Sequence, residues 1–85
     1  MRNIDTQIAL ASGWKVTTVW ADVAQRSPLG IMVLRNDATG DEWRGRFDVQ
    51  KRTFLDSRSV PKEAGVSADI LIGRIYREVI LNHAA

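Results

Sequence analysis

The stretch that decides the fold runs Leu29-Gly30-Ile31-Met32-Val33-Leu34-Arg35, then Asn36-Asp37-Ala38-Thr39-Gly40-Asp41, then Glu42-Trp43-Arg44-Gly45-Arg46-Phe47-Asp48-Val49. Leu29 to Leu34 is an apolar run of strand length, the pattern of a strand buried on both sides. Asn36 to Asp41 has the residues of a reversal, with Asn, Asp and Gly supplying local hydrogen bonds and left-handed backbone. The return segment alternates: Trp43, Gly45, Phe47 and Val49 face one way, and Glu42, Arg44, Arg46 and Asp48 the other. Two strands about one turn predict an antiparallel hairpin at the centre of the chain.

Beyond the hairpin, Gln50-Lys51-Arg52 reads as a second reversal into a strand at Thr53-Phe54-Leu55-Asp56. On the other side, Trp14-Lys15-Val16-Thr17-Thr18-Val19-Trp20 is rich in β-branched and aromatic types, and alternation places Trp14, Val16, Thr18 and Trp20 on one face. Asp22 to Pro28 is a polar connection. Ile4, Ile8 and Ala11 recur at helical spacing, with Asn3 or Asp5 as cap and Gly13 as a left-handed terminator, so a short helix is expected over residues 4–12. After Pro61–Gly65, Ser67 is an N-cap candidate, and Ala68, Leu71, Ile72, Ile75, Tyr76, Val79 and Ile80 form one apolar stripe of a helix reaching Asn82. The expected architecture is a single α+β domain over residues 1–85. It has a short N-terminal helix, an antiparallel sheet of three or four strands, and a long C-terminal helix packed on one sheet face.

Composition agrees with a globular chain. Eighty-five residues with 45% apolar and 26% charged side chains leave a net charge of +2, too small to imply nucleic-acid binding without clustering. No cysteine is present, which excludes disulfides and thiolate sites. The apolar runs are too short for a membrane span, and the acid at Asp5 interrupts any signal-peptide pattern. A cytoplasmic protein without a membrane partner is the expectation.

Little supports catalysis. The single histidine, His83, lies two residues from the end, where fraying is expected, and no nucleophile elbow, phosphate loop or zinc-helix motif occurs. Asp37, Asp41 and Glu42 gather at the hairpin without the spacing of a calcium loop. No catalytic residue, cofactor or metal is therefore assigned. The informative constellation is basic. Arg44 and Arg46 stand side by side on the polar face of one strand, Lys51 and Arg52 follow at the turn, and Arg58 lies beyond the last strand. Guanidinium forks suit phosphate and carboxylate oxygens, so the five form a candidate anion-facing surface for a protein, nucleotide or nucleic-acid partner. Asp41, Glu42, Asp48 and Asp56 lie near enough in sequence to neutralise part of it. Trp14 and Trp20 are read as core or rim packing. On the last helix, Ile70 and Leu81 fall away from the apolar stripe, beside Arg74 and Arg77, and the four describe a seam for self-association, expected as a dimer.

The opening Ile4-Asp5-x-x-Ile8-Ala9 followed by Gly13-Trp14 resembles the start of many small phage- and prophage-encoded accessory proteins. That resemblance covers eleven residues and implies a regulator, or an inhibitor that disables a host enzyme or defence. Three strands followed by a helix is also similar in architecture to sheet-type DNA-binding domains of plant transcription factors and some integrases. Those carry cations across the sheet, whereas residues 30–34 here carry none. The functional expectation is a small non-enzymatic binding protein that occupies an anionic partner through its arginine-rich sheet face. A nucleic-acid-binding domain and a homo-oligomeric interaction protein are the alternatives.

Overall fold

In the computed structural model, which describes residues 2–21, 28–51, 53–55 and 60–83, the central hairpin is the middle of a larger sheet. Strand β3 (Leu29–Asn36) pairs with β4 (Glu42–Asp48) in unbroken antiparallel register from Leu29↔Asp48 to Arg35↔Glu42. The Asn36 amide donates to the Asp41 carbonyl and the Gly40 amide to the Asn36 carbonyl, both at 2.8 Å, closing the expected turn. Strand β2 (Trp14–Ala21) flanks β3, β1 (Arg2–Ala9) flanks β2, and the two-residue β5 (Thr53–Phe54) flanks β4. The strand order is β1-β2-β3-β4-β5, an antiparallel meander.

The helix expected over residues 4–12 does not form, and the sheet has five strands rather than three or four. Ile4 and Ile8 are four residues apart, a spacing that lines them up on one side of a helix and equally on one side of a strand. A helix of under three turns is marginal alone, whereas the same residues gain a hydrogen-bonded ladder by pairing with β2. Gly13 is left-handed as expected (φ 83°), but together with Ser12 (φ 58°) it turns β1 back into β2 rather than ending a helix.

A second departure lies in β2. Between Val16 and Thr18 the strand carries one residue more than β3 opposite it. This bulge shifts the alternation by one. Trp14 and Val16 are buried before it, Val19 and Ala21 after it, and Thr18 and Trp20 turn to the opposite face. Trp14 therefore joins the core and Trp20 does not.

The core lies on one side of the sheet. Ile4, Trp14, Val16, Val19, Met32, Leu34 and Phe47 meet Leu71, Ile72, Ile75, Val79 and Ile80 of the C-terminal helix. That helix begins as α1 (Ala68–Ile75) after Ser67, which occupies the N-cap position without a side-chain cap hydrogen bond. It continues through a wide π turn (Tyr76–Ile80) and a 3-10 turn (Leu81–His83). The π turn has a packing reason. At 3.6 residues per turn Ile80 would drift toward solvent, and the wider i→i+5 turn slows the rotation so that both Val79 and Ile80 are buried. No helix among the described residues is long and apolar enough to cross a membrane.

Candidate partner-binding face

The helix covers one face of the sheet, and β3 shows what that leaves. Its side chains are apolar on both faces, but only Gly30, Met32, Leu34 and Asn36 are buried; Ile31 and Val33 are half-buried on the outer side. The expectation of a strand buried on both sides is thus met on one side only. A strand apolar on both faces is the pattern of one covered on both.

Register arranges the outer side chains in rows across the strands. One row runs Asn3, Trp20, Ile31, Arg46, and the next runs Asp5, Thr18, Val33, Arg44. A third runs Lys15, Arg35, Glu42. Trp20 is 36% exposed. With Ile31, Val33, Arg35 and Arg44 it lines an open depression of about 390 Å³. An apolar strip across β2 and β3 therefore lies beside a column of arginines on β4. Arg44 Nη2 meets Glu42 Oε1 at 3.4 Å, both groups being largely exposed, and exposed pairs of this kind are worth ~0–1 kcal/mol and exchange partners readily.

Of the five cations expected to cluster, Arg44, Arg46 and Lys51 lie among the described residues. Arg44 and Arg46 are exposed on the same face of β4, and Lys51 is exposed in the turn that follows. Arg52 and Arg58 lie outside the described residues, as does Asp56. Asp48, expected on the outer face among the arginines, is buried instead. Its Oδ1 accepts from the Gln50 and Lys51 amides, both at 2.9 Å, and so fixes the turn that carries Lys51. Asp48→Ala leaves both amides without that acceptor, at about 1–2 kcal/mol. The melting temperature should drop by about 5–15 °C, and the Gln50 and Lys51 amides should exchange faster in hydrogen-exchange NMR; unchanged protection there would contradict the assignment.

The hairpin acids go separate ways. Asp37 Oδ2 meets Lys15 Nζ at 3.0 Å, Asp41 Oδ2 accepts from the Thr39 hydroxyl at 3.0 Å, and Glu42 meets Arg44. The seam expected on the last helix keeps its outward position: Ile70 is 63% exposed, Leu81 45%, Arg77 is exposed, and Arg74 pairs with Glu78 one turn on.

Trp20, Ile31, Val33 and Arg35 are the members that sequence reasoning missed. The signal for Ile31 and Val33 was present in the doubly apolar β3, whereas Trp20 was hidden by the bulge. No protein-family model matches the chain, no curated protein matches its sequence, and no solved structure matches its fold.

Proposed function

We propose that this chain is a non-enzymatic binding protein whose outer sheet face docks on the surface of another protein, with an apolar patch on that partner bordered by carboxylates. The doubly apolar β3, helix-covered on one side only, carries the reading: Ile31 and Val33 gain burial only when a partner arrives. Trp and Arg around a small apolar centre are the residue types that dominate protein interfaces. The partner is a protein rather than a nucleic acid because the centre of this face is apolar, at Trp20, Ile31 and Val33, and Asp5 and Glu42 interrupt the cations, which leaves no continuous basic track for a phosphate backbone. Blocking a partner in this way is the mode of action that the resemblance to phage accessory proteins implies.

The test starts with a photo-crosslinker at position 31 in the producing cell to identify the partner, followed by affinity measurement with the purified pair. Trp20→Ala should weaken binding by about thirtyfold or more, the loss of a hot spot. Arg44→Glu with Arg46→Glu should slow association and flatten its salt dependence. DNA and RNA oligonucleotides, duplex and single-stranded, should not bind at low salt. Affinity for them that falls steeply with added salt would establish the nucleic-acid alternative instead, and a partner indifferent to Trp20→Ala would overturn the proposal.

A further inference from the structure

A glycine in the middle of a helix costs about 1 kcal/mol relative to alanine, so its presence calls for a reason. Gly73 sits inside α1, and a Cβ built on it meets nothing within 4 Å. Packing within the chain therefore does not require it. Gly73 lies at the centre of the row Asp69, Gly73, Arg77, each four residues from the next, and these three with Ile70 line one open depression. Ile70 is 63% exposed beside the notch. Among the described residues, no ion pair engages Asp69 or Arg77.

We infer that this helix surface pairs with a second copy of itself, antiparallel about a two-fold axis at Gly73. Rows at i±4 are the ridges that interdigitate when helices cross at the commonest angle, and the missing side chain lets the two backbones approach. The symmetry then does something a random partner would not. Asp69 lies four residues before the axis and Arg77 four after it, each about 6 Å away along the helix, so Asp69 of each copy meets Arg77 of the other. One charge pair is thereby made twice, and the two Ile70 side chains are covered next to the axis. The charge pattern is complementary to itself under this operation, which selects a second copy as the occupant. A single short helix pair covers little area, so the dimer belongs to the weak class, with a Kd of about 1–100 micromolar. The seam lies on the helix side facing away from the sheet, so this inference does not depend on the outer-face reading.

Sedimentation equilibrium of the full chain over a concentration series is the measurement. Asp69→Arg alone and Arg77→Asp alone should each weaken dimerisation by about tenfold or more, since each change places like charges opposite one another twice. The double variant Asp69→Arg/Arg77→Asp restores the pairing and should dimerise within about threefold of the parent. Gly73→Gln should abolish dimerisation while leaving the chain folded by circular dichroism, because its side chain enters open space in the monomer. A parent that remains monomeric throughout, or a double variant as weak as the single ones, would overturn the inference. So would association lost in Leu81→Ser but indifferent to charge reversal, which marks unspecific apolar adhesion.

Discussion

Gly30→Val is expected to cost the fold about 3 kcal/mol or more. Gly30 pairs with Phe47 across β3 and β4, and the ring lies over the glycine so closely that a Cβ at position 30 would fall 2.4 Å from Cζ and 2.7 Å from Cε1. The ring must move, and it is fully buried among the core side chains, so it has no vacant volume to enter. Overpacking of such a site costs about 1–3 kcal/mol for a modest intrusion, and the branched side chain belongs at or above the upper end. Total stability for this length is about 4–13 kcal/mol, and the melting temperature should fall by about 15–25 °C. Gly45 provides the control. A Cβ there would lie 2.3 Å from the Trp43 ring, but Trp43 is half-buried and can swing outward, giving up its edge-on contact with Phe54 at 5.3 Å. Gly45→Ala should therefore cost about 0.5–1.5 kcal/mol. Equal melting temperatures for Gly30→Ala and Gly45→Ala would show that close approach alone, rather than room to yield, sets the cost.

Asn36→Ala should be the most damaging polar substitution, at about 2–3 kcal/mol. The Asn36 side chain is buried and joins two turns at one end of the sheet. Its Oδ1 accepts from the Ala38 amide at 2.9 Å and the Thr39 amide at 3.2 Å, and its Nδ2 donates to the Ser12 carbonyl at 3.0 Å. The Asp37 amide donates to the Gly13 carbonyl at 3.1 Å beside it. Alanine removes three hydrogen bonds worth about 1 kcal/mol each and leaves their partners to water or to nothing. Hydrogen exchange at the Ala38 and Thr39 amides should accelerate together with the drop in melting temperature. Asn36→Asp separates the roles: it keeps the acceptor and hence the turn protection while losing the donor to Ser12. Turn amides that exchange equally fast in both variants would contradict this division.

The central hairpin, the position of its turn and the C-terminal apolar stripe were legible because each rests on a local pattern with one interpretation. Leu71, Ile72, Ile75 and Val79 fall within one arc of a helix, whereas strand alternation would split Ile72 from the other three, and Ile80 joins them through the wider turn. The N-terminal segment was not legible. Ile4 and Ile8 fit both periods, and the choice depends on β2, whose edge is visible only in the folded chain. Trp20 shows a different limit. One extra residue near Thr17 moves Thr18 and Trp20 to the other face, and no residue in the run marks the bulge, since threonine and valine suit a strand with or without it. The candidate face was half legible: Arg44 and Arg46 follow from simple alternation, but their apolar neighbours depend on that shift.

The neighbour-to-neighbour order of the five strands also shapes how the chain is born. Each strand pairs with the one made just before it, so the sheet assembles from reversals that close locally and quickly. The helix segment that shields its inner side, Leu71 to Ile80, emerges only after Phe54 has been added, and translation of the intervening residues takes about 1–5 s. Until the helix segment docks, a sheet that has formed leaves Val16, Val19, Met32, Leu34 and Phe47 exposed to the surrounding solution. The chain is therefore most vulnerable to clumping while its sheet has formed and the helix that covers it has not.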